Sequence, residues 1–161
     1  MTDLASELSI KLIRMGWMLC TAESCTGGLI ASRCTDLPGS SHWFDRGFVT
    51  YSNNAKTEML GVDQDMISTY GAVSEPVARA MVLGSIYRSQ SRASVAVTGV
   101  AGPSGGSLEK PVGTVWLAWY VNGLVFTEIK LFNGDRKQIR EATADYALQG
   151  LIDRIPTGLS T

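Results

Sequence analysis

Thr21-Ala22-Glu23-Ser24-Cys25-Thr26-Gly27-Gly28 is the turning point of this chain. An apolar run from Trp17 to Cys20 leads into it, and a helix-compatible run from Leu29 to Arg33 leaves it. Between them sit a carboxylate, two hydroxyls, a thiol and two glycines. A strand that stops at small polar residues and continues as a helix presents side chains and free backbone N–H groups at one point. Nucleophiles and phosphate sites are commonly built at such turns. The plainer reading of the octet is a tight strand-to-helix turn with a Thr or Ser N-cap.

Working outward, Leu4, Leu8, Leu12, Ile13 and Met15 predict an amphipathic helix over 3–15 that ends near Gly16. Residues 17–22 read as a short buried strand and 27–35 as a helix, stopped by Leu37-Pro38-Gly39. The aromatic, β-branched stretch from Ser40 to Ser52 favours strand. Asn53-Asn54 opens a short helix to Leu60, and Asp63 and Ser74 are N-cap candidates. Ser74-Glu75-Pro76 is a strong helix start, with a helix expected to about Gln90. Ala93–Val97 reads as a buried strand running into Thr98-Gly99-Val100-Ala101-Gly102-Pro103-Ser104-Gly105-Gly106-Ser107. Pro111–Val121 and Leu124–Leu131 flank Asn122-Gly123, the hairpin signal of a tight turn. Asp135 caps a last helix over 136–152. Alternation early and a hairpin late predict an α/β fold: a single layered domain over 1–161, with a mixed β-sheet covered by helices.

Composition narrows the function. At 161 residues with 45% hydrophobic residues, the chain suits one domain with a real core. A formal net charge of −1 leaves no electrostatic footprint for nucleic acid. No apolar run approaches the roughly 20 residues that span a bilayer, and the N-terminus lacks a basic-then-apolar signal pattern. A soluble, cytoplasmic protein is expected. Cys20, Cys25 and Cys34 are odd in number and lack CxxC spacing, against a disulfide framework or a zinc site. His42 is the single histidine, so a His-rich metal centre is excluded and no metal or cofactor is expected. A base other than His42 must be Lys, Tyr or a carboxylate. His42 itself reads as a surface or hydrogen-bonded residue, since nothing near it is a nucleophile.

Two loops share a design. Glu23-Ser24-Cys25-Thr26-Gly27-Gly28 and Thr98-Gly99 to Gly102, Gly105, Gly106 and Ser107 both follow buried strands. In open α/β sheets, ligands bind outside the carboxyl ends of strands. Small hydroxyls and glycines let backbone N–H groups approach a phosphate or an oxyanion. Neither loop has P-loop or GxGxxG spacing. The second also reads as a mere mobile connection. Tyr51 and Lys56 stand five positions apart after the aromatic strand. A helix starting near Asn53 aims Lys56 back at the strand end. There, desolvation could leave it neutral, able to take a serine proton. The plainer readings are a solvated lysine and a packed aromatic. Cys25, near a helix N-terminus, rivals Ser24 as nucleophile, or is a small packing residue. Arg46, Arg136, Lys137 and Arg140 are possible anion ligands, the last three otherwise a solvated helical face. Trp116 and Trp119 fall on opposite strand faces, so that one of them can face a second subunit. With exposed strand edges, the four tryptophans Trp17, Trp43, Trp116 and Trp119 point to a homo-oligomer.

TAESCTGG (21–28), PGSSHWFDRGFVTYSNNAK (38–56), GAVSEPVA (71–78), TGVAGPSGGS (98–107) with EKPVGTVW (109–116), and GDR (134–136) stand in order along the chain. Together they resemble the CinA C-terminal domain family, and within it the stand-alone nicotinamide mononucleotide amidohydrolases of the PncC type. The resemblance runs from about residue 5 to 152. It implies hydrolysis of the carboxamide of nicotinamide mononucleotide to nicotinate mononucleotide and ammonia, in pyridine-nucleotide salvage. It further implies a serine amidohydrolase with a Ser–Lys pair and no metal. The family's nucleophilic serine falls on Ser24, its tyrosine and lysine on Tyr51 and Lys56, and its strand-end hydroxyl on Thr98. On this reading Cys25 to Gly28 supply the oxyanion site. The Gly102–Ser107 loop, with Arg46 or Arg140, holds the ribose phosphate, and Glu23 positions Lys56 or a backbone amide. A non-catalytic nucleotide-binding or regulatory module on the same fold, a Cys25 enzyme, and an enzyme for a different amide remain the alternatives.

Overall fold

The computed structural model describes residues 3–157. The ends of the expected domain, 1–2 and 158–161, lie outside the described residues. The order is α1 (Leu4–Met15), β1 (Leu19–Glu23), α2 (Leu29–Thr35), a 3-10 turn (Ser40–His42), β2 (Phe44–Val49), α3 (Asn53–Leu60), α4 (Gln64–Tyr70), α5 (Glu75–Tyr87), β3 (Ala93–Gly99), β4 (Thr114–Val121), β5 (Leu124–Leu131) and α6 (Arg136–Arg154). The strands form one mixed sheet in the order β2-β1-β3-β4-β5. β1 runs parallel to β2 and β3, and the β3–β4 and β4–β5 pairs are antiparallel. The layered α/β architecture follows from the chain's pattern as expected.

The two sheet faces are built from different residue sizes. Leu19, Val95, Val97, Leu117 and Trp119 face a layer of α1, α2 and α6. Ala22, Ala96 and Ala118 face α5 with its neighbours α3 and α4. Small residues on this second face let α5 lie close to the sheet. Gly84 of α5 continues the close approach, because a Cβ there would run into the Leu60 carbonyl at the end of α3. On the opposite layer Gly150 of α6 packs against the indole of Trp119, whose Nε1 donates to the Ala147 carbonyl at 2.9 Å.

Several element ends differ from the sequence reading, three of them for a clear local reason. β1 starts at Leu19 because Trp17 belongs to the end of α1: with Gly16 left-handed, the Trp17 N–H returns to the Leu12 carbonyl. Ser40–His42 wind into a 3-10 turn, so β2 begins only at Phe44. β2 ends before Ser52, whose hydroxyl accepts from the Ala55 N–H and caps α3. α5 stops at Tyr87 and β4 starts at Thr114. α2 starts at Leu29 rather than 27, and no Ser or Thr caps it: its N-cap is Gly28, at φ 107. Trp119 is fully buried under α6, while Trp116 on the other face is only half-buried. His42 is exposed with its Nδ1 3.0 Å from the Gly39 carbonyl, and all three cysteines are free and buried. No helix among the described residues is long and apolar enough to cross a membrane.

Candidate active site

β1 and β3 are neighbours whose onward connections leave in opposite directions, β1 toward β2 and β3 toward β4. A parallel sheet opens a crevice at such a point, outside the carboxyl ends of the strands. Ser24 sits there. Its N–H extends the ladder to the Val97 carbonyl at 3.1 Å, and the Thr50 N–H donates to the Glu23 carbonyl at 2.9 Å on the other side. A cleft of about 220 Å³ opens at this edge, lined among others by Ser24, Cys25, Tyr51, Lys56, Thr98 and Arg136. A larger cleft of about 610 Å³ lies elsewhere, near Arg33, Asp36 and Asp145, and contains no nucleophile.

α3 delivers Lys56. Its capped first turn points Lys56 back under the strand ends, and the side chain is 1% exposed. Lys56 Nζ lies 2.9 Å from Ser24 Oγ, 3.1 Å from the Thr50 carbonyl and 3.2 Å from the Tyr51 carbonyl. Lys56 forms no ion pair among the described residues. Burial pushes its pKa below the ordinary lysine range, because water no longer solvates the ammonium. Lys56 Nζ donates to all three of these oxygens, and the Ser24 hydroxyl itself points to the Tyr51 carbonyl at 3.4 Å. Burial acts oppositely on Cys25, whose thiol is pushed up to about 11. That thiol is protonated at neutral pH and is a poor nucleophile.

Glu23 is fully buried, and its carboxylate is taken up by the start of α2 rather than by Lys56. Its Oε1 accepts from the Thr26 hydroxyl at 2.6 Å, the Ile30 N–H at 2.9 Å and the Gly28 N–H at 3.3 Å, while Oε2 accepts from the Ala31 N–H at 3.0 Å. The acid at the end of β1 thus does the capping that a Ser or Thr was expected to do for α2. Gly27 and Gly28 spend their N–H groups within the turn, on the Ser24 carbonyl and on Glu23. The Cys25 N–H, immediately after Ser24, donates to no other residue among the described residues, its own thiol being its one neighbour.

The remaining expected residues divide. Thr98 is at the cleft, its hydroxyl donating to the Ala72 carbonyl at 2.8 Å, and Gly99 lines the cleft beside it. Tyr51 reaches the pair through its backbone carbonyl. Its hydroxyl is instead 3.0 Å from Arg136 Nη2. Arg136 also donates to the Gly102 carbonyl at 2.8 Å, so it joins the two loops across the cleft mouth. Arg46 is not brought to the cleft: its guanidinium lies on Asp45 and on the Arg88 carbonyl at the end of α5. Arg140 holds the Cys25 and Thr26 carbonyls. Gly105, Gly106 and Ser107 lie on the exposed part of their loop, where Ser107 and Lys110 close a turn on each other. Arg136, one of the four possible anion ligands, does line the cleft, whereas Asn53, which also lines it, was not expected as a site residue. The signal for Arg136 was its place directly after Gly134-Asp135, at the capped start of α6.

A family model described as the CinA C-terminal domain matches residues 1–155. The chain belongs to the CinA C-terminal domain family. Among other CinA-family relatives, "Nicotinamide-nucleotide amidohydrolase PncC" of Pseudomonas putida is 52% identical over 151 residues, which cover 94% of each chain. The protein of the same name from Escherichia coli K12 is 47% identical over 150 residues, 92% of this chain and 91% of that one. A "CinA-like protein" of Akkermansia muciniphila is 56% identical over 134 residues, 83% of this chain but only 32% of that protein. The chain therefore spans about a third of the length of that CinA relative and nearly all of the PncC relatives. The crystal structure of a competence/damage inducible protein CihA from Agrobacterium tumefaciens superposes with a TM-score of 0.88 at 47% identity, covering 95% of this chain and 96% of that one. A competence damage-inducible protein A from Klebsiella pneumoniae gives 0.91 at 36% identity, over 94% of each chain.

Proposed function

We propose that this protein hydrolyses the carboxamide of nicotinamide mononucleotide, giving nicotinate mononucleotide and ammonia, with Ser24 as nucleophile and Lys56 as base. The observation that carries the reading is the buried 2.9 Å contact between Lys56 Nζ and Ser24 Oγ, at the strand ends where this fold places ligands. The substrate class comes from the relatives named nicotinamide-nucleotide amidohydrolase, which match over nearly the full length of both chains.

The chemistry is acyl transfer. Neutral Lys56 takes the Ser24 proton as Oγ bonds to the carboxamide carbon. The Cys25 N–H meets the resulting oxyanion, a type of contact worth on the order of 3 kcal/mol per donor in other enzymes. Collapse breaks the C–N bond, and the lysine proton leaves with the nitrogen as ammonia. Water then attacks the acyl-serine, giving its proton to Lys56. The ester bond breaks, Ser24 recovers its proton, and the product leaves as a carboxylate. Arg136 is the cation best placed for the ribose phosphate, beside Gly102 and Tyr51. Fixing a remote phosphate orients the carboxamide over Ser24. Thr98 and Gly99 form the wall on the β3 side.

Ammonia release from nicotinamide mononucleotide, measured with a chelator present, tests the reading. The wild type turns over and Ser24→Ala does not. Full activity in Ser24→Ala overturns the nucleophile. Binding without ammonia release by the wild type would mark a nucleotide-binding module instead. Self-association is a further part of the proposal, motivated by exposed Leu124, Ile129 and Leu131 on the edge strand β5. A monomeric mass in light scattering would refute that part alone.

A further inference from the structure

The turn that carries Ser24 is gripped from two sides. On one side, the buried Glu23 carboxylate takes up the N–H groups of Gly28, Ile30 and Ala31. On the other, Arg140 reaches in from α6: its Nε donates to the Cys25 carbonyl at 3.1 Å and its Nη2 to the Thr26 carbonyl at 2.9 Å. The Ser24 carbonyl is held by the Gly27 N–H at 3.0 Å. All three peptide planes of the turn therefore have a fixed direction. In a trans peptide the N–H points opposite to the C=O. Holding the Ser24 carbonyl thus aims the Cys25 N–H, and holding the next two carbonyls stops the turn from rotating it away.

Arg140 has the support that this task requires. α6 starts at a capping box between Asp135 and Gln138, and Ile139, the residue before Arg140, is buried in the core. Arg140 is half-buried and does not line the cleft, whereas Arg136, one turn earlier, does. Two arginines of one helix are thereby divided between two tasks: Arg136 faces the cleft mouth, and Arg140 stands behind the turn.

We propose that Arg140 is a positioning residue for amide hydrolysis: it holds the Cys25 and Thr26 carbonyls so that the Cys25 N–H meets the oxyanion formed at Ser24. It also sets a permanent positive charge behind that donor. The proposal rests on the Ser24–Lys56 reading and replaces a phosphate-binding role for Arg140. Because the oxyanion exists only in the transition state and intermediate, loss of the clamp lowers kcat and leaves ground-state binding alone.

The test compares wild type, Arg140→Ala, Arg140→Lys and Ser24→Ala with nicotinamide mononucleotide as substrate and nicotinate mononucleotide as a calorimetric ligand. A loosened turn is expected to cost Arg140→Ala about ten- to a hundredfold in kcat, with KM within about threefold. Affinity for nicotinate mononucleotide is expected to be unchanged. Arg140→Lys, which keeps the charge but not the two-pronged contact, falls between, and free guanidinium restores part of the kcat of Arg140→Ala. If Arg140→Ala does not fold, the same kcat-against-KM split is read from Arg140→Lys. A rise in KM together with weakened product binding, at retained kcat, overturns the proposal in favour of a phosphate ligand. Unchanged kcat in both variants overturns it outright. Ammonia release retained by Ser24→Ala defeats the underlying reading, and the proposal with it, a result distinguishable from failure at Arg140 alone.

Discussion

Lys56 Nζ and Ser24 Oγ, 32 residues apart in sequence, meet at 2.9 Å, and among the described residues no carboxylate pairs with the lysine. What surrounds the amine is instead a pair of backbone carbonyls, from Thr50 and Tyr51. A carboxylate partner would raise the lysine pKa and hold the charge. Burial without a paired carboxylate favours the neutral base, even though the carbonyls can accept from the ammonium.

This sets the acidic limb of the pH profile. Only neutral Lys56 accepts the serine proton, so kcat/KM rises with pH as Lys56 loses its proton. Because burial lowers its pKa, the midpoint of the rise lies below the ordinary lysine value of 10.5. A kcat/KM profile from acid to alkaline pH checks this, and Lys56→Ala lacks both the activity and the limb. A midpoint at or above the ordinary lysine value would contradict the desolvated base.

Cys25 lies next to Ser24 yet is expected to be dispensable as a nucleophile. Its thiol is pushed up to about 11 and its contribution at the cleft is the backbone N–H, which Cys25→Ala keeps. Cys25→Ala therefore retains ammonia release to within about tenfold, the residual loss coming from repacking of a buried side chain. Loss of all activity in Cys25→Ala, with Ser24→Ala active, would identify a thiol enzyme.

Glu23 is a stability residue first. Removing its carboxylate in Glu23→Ala strands the N–H groups of Gly28, Ile30 and Ala31. At about 1–3 kcal/mol for each buried group left unpaired, the buried Ile30 N–H and Thr26 hydroxyl set a loss of at least about 2 kcal/mol, the part-buried Gly28 and Ala31 N–H groups adding less. Urea unfolding measures it directly. Glu23→Gln keeps one acceptor oxygen and loses less, but it turns an amide N–H toward the Ala31 N–H. Equal midpoints for wild type and Glu23→Ala would refute the capping role.

Gly84 links packing to the site. A methyl group there meets the Leu60 carbonyl, so Gly84→Ala pushes α5 and α3 apart, and α3 carries Lys56. Overpacking of this kind costs about 1–3 kcal/mol. Thermal unfolding reads that cost, and ammonia release reads the displaced lysine. Gly123→Ala is the control: nothing lies within 4 Å of its Cβ, although its positive φ brings a local strain penalty.

The parts of the fold visible in the chain are those governed by neighbours in sequence. The Asn122-Gly123 hairpin, the Asp135 cap and the Ser74-Glu75-Pro76 helix start all stand where local chemistry put them. That Ser24 and Lys56 stand near each other was legible for the same reason: Ser24 follows the end of one strand, and Lys56 lies in the first turn of the helix after the next. Arg46 illustrates the opposite case. It lies in a strand that ends at the cleft, yet its side chain contacts Asp45 and the end of α5. Which arginine reaches the cleft depends on where along its strand or around its helix it sits, and no local pattern encodes that.

The sequence by itself determined the alternation of helices and strands, the small-residue turn at 21–28 and the supply of one serine, one nearby lysine and no suitable histidine. Tertiary structure alone decided that Glu23 caps α2, that Tyr51 offers its carbonyl rather than its hydroxyl, and that Arg136 and Arg140 face different ways. The physical reason is range. Propensity, capping and turn chemistry act over a few residues, whereas hydrogen-bond partners and burial are set when β1 is inserted between β2 and β3 and α6 closes over them.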